Sequence, residues 1–301
     1  MQSFGKPRIL IIGCGDIGMR VARQLSRSYR IFALTSQKSR FQELRGVGAI
    51  PILGDLDKPD SLWRLSGLAE TVIHLAPPQN SGHHDCRTRN LLRILAHGSD
   101  TVGRLIYVST TGVYGDHQGA QVSEITPVAP QSERAKRRVD AERALRLWAP
   151  AHGVALTILR VPGIYALDRL PIERIQAGTP ALLSAEDAYS NHIHSEDLAR
   201  LVCAAVYHGK PQRVINACDG GETKMGDYFD EVADAFALAR PPRLPAPDLQ
   251  KLVSPMLWSF MRESRRVRNT RLAELKTPLR YPSVAHFLKT ISKNPSDQPL
   301  D

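Results

Sequence analysis

What this chain of 301 residues has little of narrows its function before any motif is read. Cysteine is scarce: Cys14, Cys86, Cys203 and Cys218 are scattered, with no CxxC pair. That excludes a disulfide-stapled miniprotein, leaves no zinc-ligand spacing and fits a reducing cytoplasm. Aromatic residues make up 6% of the chain, and neither zinc-finger spacing nor an aromatic-studded RNA-binding signature occurs, so nucleic acid is not expected as a partner. No run approaches the roughly 18 apolar residues a membrane span requires. The short stretch from Ile9 to Ile12 runs straight into glycines, as a buried strand does and a signal peptide does not. A soluble, cytoplasmic protein without a membrane partner is the expectation.

Acidic residues are outnumbered. Lys plus Arg total 40 against 30 Asp plus Glu, a net charge of +10, which favours an anionic partner. The cations concentrate in two stretches: Arg134, Lys136, Arg137, Arg138, Arg143 and Arg146, and then Arg262, Arg265, Arg266, Arg268 and Arg271. A solvated helix face is the ordinary fate of such runs; a small anionic substrate is the functional reading. His83-His84-Asp85-Cys86 offers adjacent histidines, poor chelators with no second cluster to complete a site, so no metal is expected.

Short runs rich in Ile, Val and Leu alternate with helical patterns, the signature of βαβ units. Strands are expected at 8–12, 30–34, 49–53, 71–75, 104–108, 155–160 and 213–217, and helices at 17–28, 86–97, 131–148 and 196–207. In the third of these helices the apolar stripe is Ala141, Ala144, Leu145 and Trp148. Right-handed crossovers then give an α/β fold with a Rossmann-type doubly wound parallel sheet. Beyond Tyr165 the alternation weakens and prolines accumulate, which suggests a smaller, mostly helical C-terminal substrate lobe. The expected division is a Rossmann-type domain over 1–165, a lobe over 166–293 interrupted by a return to the sheet at about 192–218, and a tail at 294–301.

The first strand feeds into Gly13-Cys14-Gly15-Asp16-Ile17-Gly18, a GxGxxG with a strand before it and a helix after it. Gly13 permits the tight turn, Gly15 lets the backbone approach a pyrophosphate, Gly18 allows close helix–strand packing, and the helix start around Asp16 and Ile17 offers free N–H groups. A site for NAD usually carries an acid at the end of strand two to hold the ribose 2′-hydroxyl. Here no acid occurs from Ile17 to Gln42, and the turn reads Thr35-Ser36-Gln37-Lys38-Ser39-Arg40. Hydroxyls followed by Lys38 and Arg40 suit a 2′-phosphate, so NADP(H) is expected, with NAD(H) as the alternative.

At this point the residues resemble the atypical and extended short-chain dehydrogenase/reductases, the NAD-dependent epimerase/dehydratases. Gly54-Asp55-Leu56 is similar to the family's adenine-contacting GDL, and Val72-Ile73-His74-Leu75-Ala76, with Pro77 following, to a strand-four segment whose end lies against the cofactor. Tyr107 to Asp116, which includes Ser109 and Thr110, resembles the strand-five motif. Leu159 to Tyr165 resembles the strand-six segment that passes the nicotinamide, with Val161 facing it, and Ile193 to Ala199 resembles the start of a late helix. The resemblance implies a Ser or Thr after strand five, here Thr110, and a YxxxK on the next helix. That motif falls on Arg134-Ala135-Lys136-Arg137-Arg138, so both tyrosine and lysine are replaced by arginine.

Arginine stays protonated and cannot stand in for a phenol, although Arg138 can still present charge and donors to ribose hydroxyls. Spaced i and i+4, Arg134 and Arg138 share a helix face and together form an anion clamp. Tyr165, Tyr189, His192 and Lys136 are the substitutes for the absent acid, while structural packing with the hydroxyl hydrogen-bonded is the expectation for Tyr114 and Tyr165, and backbone orientation for His194. An NADP(H)-preferring oxidoreductase or epimerase acting on a polar or anionic carbonyl or hydroxyl compound, a nucleotide sugar among them, is the expected function. The alternative is a catalytically degenerate NADP(H)-binding sensor that docks a partner through Arg262 to Arg271. The family resemblance also implies a homodimer through the helix carrying the first arginine cluster, against which six cations on that helix would work.

Overall fold

The computed structural model describes residues 5–97 and 102–292; the tail expected at 294–301 lies outside them. Seven strands, β1 (Arg8–Ile12), β2 (Arg30–Thr35), β3 (Ala49–Leu53), β4 (Thr71–His74), β5 (Arg104–Thr110), β6 (Ala155–Val161) and β7 (Arg213–Asn216), form one sheet in the order β7-β6-β5-β4-β1-β2-β3. Every neighbouring pair is parallel. A parallel sheet is covered on both faces, and its inner strands are accordingly apolar along their length: Ile9, Leu10, Ile11 and Ile12 of β1 are all fully buried. The order reverses between β1 and β4, and the crevice beyond the strands' C-terminal ends at such a reversal is where open α/β sheets bind ligands.

Helices α1 (Asp16–Leu25), α2 (Phe41–Gly46), α3 (Cys86–Leu95), α4 (Glu133–Ala151) and α5 (Ser195–His208) flank the sheet. One face packs Val21, Ala22 and Leu25 of α1 with Leu198, Leu201 and Val202 of α5. The other packs Leu91, Leu92 and Leu95 of α3 with Ala141, Leu145 and Ala149 of α4. Both buried faces follow from spacings of three and four. Helix α3 begins where Asp85 Oδ1 accepts the Thr88 N–H at 3.0 Å, and α4 begins where Ser132 Oγ accepts the Ala135 N–H at 3.3 Å. In each case a short polar side chain satisfies a backbone donor that the first turn leaves open.

After β6 the chain adds a strand, Gly163–Tyr165, which pairs in parallel with His192–His194. Helix α5 then packs on the sheet and β7 pairs with β6. Helices α6 (Met225–Ala235) and α7 (Val284–Ser292) surround Tyr165, Phe229, Val232 and Phe287 in a separate apolar cluster. Sequence patterning assigns neither α6 nor α7, nor the two-residue strands such as Gln121–Val122 against Arg266–Val267. Two residues are too few to display a period of two.

Candidate active site

The turn after β1 is shaped by its glycines. Gly13 has φ +84°, and a Cβ there would lie 2.4 Å from the Ala76 backbone nitrogen, so the close approach of the β1 and β4 ends requires glycine. A Cβ on Gly18 would meet Gly13 O at 3.1 Å and Leu75 Cδ1 at 3.3 Å, which is the close packing of α1 on the sheet. Gly15 differs: a Cβ there meets nothing within 4 Å, so open space lies above the start of α1, where unpaired backbone N–H groups favour an anion. The cleft around this loop measures about 460 Å³. Thr35, Ser36, Asp55, Leu56, Ala76 and Pro77 line it beside the glycine loop, and so does Arg40.

Not every residue expected there arrives. Lys38 opens a one-turn 3-10 helix, Lys38–Arg40, is exposed and does not line the cleft. Two positions on, Arg40 does, with its Nε 2.9 Å from Glu43 Oε2. The tight turn points neighbouring side chains in different directions, and spacing alone does not choose between them. Sequence reasoning also passes over two other cations on the cleft, Arg87 and Arg169. Arg87 is held by Asp57 through two hydrogen bonds of 2.8 and 2.6 Å, which keep its pKa above the ordinary value; Arg169 lies 2.9 Å from Asp16 Oδ2.

A smaller cavity of about 240 Å³ continues from the first past Ile17 and Leu75 to Ser109, Thr110, Arg138 and Val161. Arg138 Nη1 donates to Val108 O at 2.9 Å and Tyr107 Oη at 3.0 Å, which ties α4 to the end of β5. Ser109 lines this space, but its hydroxyl donates to Glu142 Oε1 at 2.7 Å, so it supports the floor. Glu142 in turn takes Arg160 through two hydrogen bonds of 3.1 and 2.7 Å, with both side chains 4% exposed. Burial alone would lower the Arg160 pKa; its hydrogen bonds to Glu142 and that carboxylate's charge outweigh it and hold the pKa above the ordinary value. The Arg160 guanidinium lies 4.8 Å from the Tyr114 ring centroid, and Tyr114 Oη donates to Asn216 Oδ1 at 2.7 Å. Tyr114 is therefore packed with its hydroxyl bonded, as the sequence suggests.

A third cavity, about 390 Å³, opens between the sheet and the lobe and is lined by Thr110, Arg134, Gly163, Tyr189, His192 and Phe260, among others. Thr110 lines both this cavity and the one holding Arg138. Its Oγ1 accepts the Gly112 N–H at 3.2 Å, which leaves the hydroxyl proton free to donate. The Arg134 guanidinium sits 4.2 Å from the Phe260 ring centroid and makes no hydrogen bond or ion pair among the described residues. Burial lowers its pKa somewhat without threatening its charge. Of the four candidate acids, Tyr189 and His192 line this cavity. Burial holds His192 neutral, with a pKa of about 4. Lys136 is exposed and bound to Glu133 at 2.7 Å. Tyr165 is 1% exposed, lines neither cleft, and has no partner for its hydroxyl among the described residues, so the hydrogen bond expected of it is not made. His194 accepts the Glu196 N–H through Nδ1 at 3.2 Å, the backbone role the sequence suggests.

The family model for the NAD dependent epimerase/dehydratase family matches residues 9–218. The chain belongs to that family. Protein YeeZ of Escherichia coli K12 is 25% identical over 245 residues, covering 78% of this chain and 85% of its own. A conserved protein of unknown function from Silicibacter pomeroyi has a structure superposing with TM-score 0.77 at 26% identity, over 96% of this chain and 99% of that one. Human epimerase family protein SDR39U1, solved with NADPH, superposes with TM-score 0.75 at 17% identity, over 95% and 99% of the two chains. The seven-stranded Rossmann architecture is shared with these epimerase/dehydratase folds. The family match ends at residue 218, so Phe260 and the second basic stretch lie beyond it.

That second stretch is largely occupied with holding this epimerase/dehydratase fold together. Arg265 donates to Gly115 O and Glu263, both at 2.8 Å, Arg266 donates to Gly119 O at 2.8 Å, and Arg271 to Val214 O at 3.3 Å. Arg262 and Arg268 are exposed, and Arg268 lies 3.4 Å from Glu222. His83 and His84 pair with Glu133 and Asp140. Among the described residues no group of three or more His, Cys, Asp or Glu is placed to hold a metal ion, and no helix is long and apolar enough to cross a membrane.

Proposed function

We propose that this chain binds NADP(H) along the first cleft and acts as an oxidoreductase or epimerase on an anionic carbonyl or hydroxyl compound held in the lobe-side cavity. The observation that carries the reading is the position of Thr110, which lines both the cavity reached from the glycine loop and the cavity containing the unpaired Arg134. The open space at Gly15, above the start of α1, fits a dinucleotide pyrophosphate. Arg40 on the cleft, with no acid from Ile17 to Gln42, favours a 2′-phosphate; among the fold relatives one is solved with NADPH and others with NAD. When bound, the nicotinamide supplies or accepts hydride.

The chain's own groups do the rest. Thr110 Oγ1 donates to the substrate oxygen. Arg138, whose hydrogen bonds are all made by Nη1, presents Nε and Nη2 to ribose hydroxyls, taking over the charge though not the chemistry of the family's lysine. Arg134 pairs with a carboxylate or phosphate, a phosphorylated sugar or sugar nucleotide included. Of the candidate acids, Tyr189 and His192 line that cavity and are able to move a proton.

A second reading, an NADP(H)-binding module without turnover, draws support from one feature: α4 brings two arginines and no tyrosine to the site. A general acid typically contributes 10²–10⁴-fold in rate. Titration of NADPH and NADH into the wild type, Arg40→Ala and Arg138→Ala tests the cofactor reading; following NADPH consumption with carboxylated and phosphorylated carbonyl compounds, together with the stereochemistry of sugar nucleotides recovered after incubation, which reports a redox-neutral epimerisation, tests turnover. NADPH binding that weakens in both variants, with turnover, supports the enzyme; binding without turnover across that panel favours the module; no binding of either nucleotide removes both.

A further inference from the structure

We propose that Arg169 is a clamp for the coenzyme's pyrophosphate, closing the first cleft from the side of the smaller lobe; this rests on the dinucleotide reading above. Arg169 ends the turn Leu167–Arg169, just past the strand Gly163–Tyr165, and lines the cleft together with the glycine loop. Its one ion pair among the described residues is with Asp16 Oδ2, at 2.9 Å, where the two side chains are 35% and 29% exposed.

Asp16 is the first residue of α1, at the helix end where the pyrophosphate is placed. A lone carboxylate there would repel that anion. Asp16 has a second arginine, however, because Arg20 Nε lies 2.8 Å from Oδ1 one turn along the same helix. Arg169 can therefore turn to a pyrophosphate while Arg20 still neutralises Asp16. The pair is half-buried, and Asp16 Oδ2 makes no hydrogen bond among the described residues, so the exchange gives up a charge contact without breaking a hydrogen bond, and charge-assisted bonds to phosphate oxygens replace it.

The other cleft cations are less free. Arg87 is fixed by its two bonds to Asp57 and a third to Pro77 O at 3.2 Å. Arg40 stands at the β2 turn, the end assigned to the 2′-phosphate, and is paired with Glu43. Arg169 alone of the three comes from the chain beyond β6, so its engagement would draw that segment onto the coenzyme.

The test is calorimetric titration of the full-length protein with NADPH and, separately, with adenosine 2′-monophosphate, which keeps the adenosine and 2′-phosphate but has no pyrophosphate. Arg169→Ala should weaken NADPH about 10- to 100-fold and leave the monophosphate affinity unchanged. Arg169→Gln, which keeps a side chain of some length without charge, should behave alike, and neither variant should shift the thermal midpoint appreciably. Unchanged NADPH affinity in both variants, or equal weakening of the two ligands, overturns the clamp while leaving the cofactor reading intact. Failure of the wild type to bind NADPH overturns the clamp and that reading together.

Discussion

The glycine-loop cleft and the cavity that opens beyond Thr110 are built by opposite means. The first is made almost entirely of turns that directly follow parallel strands, at 13–18, 35–37, 54–56 and 75–77. Its arginines are already paired, Arg40 with Glu43, Arg87 with Asp57 and Arg169 with Asp16. The second gathers Thr110, Arg134, Tyr189, His192 and Phe260 from segments far apart in the chain, and its Arg134 rests on an aromatic ring without an ionic partner. Backbone geometry organises the first cleft, and in the proposed function its ligand would be held by shape and N–H groups. In the second, side chains would carry the selectivity, with Arg134 favouring an anion.

The sharpest way to break this contrast is to attack the floor of the smaller cavity that lies between the two. Glu142→Ala leaves Arg160 buried without its carboxylate behind Ser109, which should cost about 3–5 kcal/mol; replacing both by apolar residues should cost much less, as chemical denaturation of the single and double variants would show. Next is the glycine loop. Gly13→Ala combines a left-handed φ with a 2.4 Å collision and should destabilise by roughly 2–4 kcal/mol. Gly15→Ala, with nothing within 4 Å, should melt like the wild type yet bind NADPH more weakly. Equal melting of the two variants would show that the loop is not organised by its backbone.

Acid provides a third probe. Burial depresses the pKa of His74 to about 3 and, for His194, to about 4, from an ordinary 6.5; both must stay neutral in the folded state. Their contribution is fully present above pH 6.5 and is lost as pH falls toward 4, because the unfolded chain then binds more protons. Asp219, pushed up to about 7 by burial, works the other way, stabilising at low pH and losing that contribution as pH rises from 3.8 to 7. His192, lowered to about 4 by burial like the other two histidines, adds a third, and three histidines outweigh one aspartate, so stability should fall on acidification from 6.5 to 4 with a net slope of up to about 2.7 kcal/mol per pH unit. Thermal melts across that window measure it, and His194→Gln should flatten the slope.

The smaller effects sharpen the comparison by separating the clefts. Arg134→Ala should leave NADPH affinity and stability nearly unchanged while weakening an anionic substrate or inhibitor about 10- to 100-fold; a loss of NADPH affinity instead would move Arg134 into the first cleft. Arg40→Ala should reduce the preference for NADPH over NADH by several-fold, corresponding to about 1 kcal/mol, with little effect on NADH itself. Paired titrations read out both.

Much of the sheet is legible in the sequence because a buried parallel strand must be apolar throughout. The run at 8–12 therefore stands out without any context; β3, an edge strand with Ile50 and Leu53 exposed, is apolar as well, and β1 and β3 begin and end where patterning places them. Helices α6 and α7 are not legible, since the proline-rich chain around them gives no alternation to read against. Ser109 and Lys38 mark the limit at the site. Sequence places Ser109 beside the cofactor, and its hydroxyl is spent on Glu142; it gives Lys38 and Arg40 equal standing, and one turn of helix sends only Arg40 to the cleft. No spacing rule points to Phe260, Arg87 or Arg169.

By itself, the sequence determined what is local: the glycine turn, the order of strands and helices, the absence of an acid after β2, and arginine at two positions of α4. These follow from backbone sterics and hydrophobic period, which act over a few residues. Tertiary structure alone decided which charges are spent and which are free. Arg160 is neutralised by Glu142 and Arg265 by Glu263, while Arg134 is left over beside Thr110. Charge pairing depends on distances between side chains brought together from distant parts of the chain, and those distances exist only once the sheet and the lobe have packed.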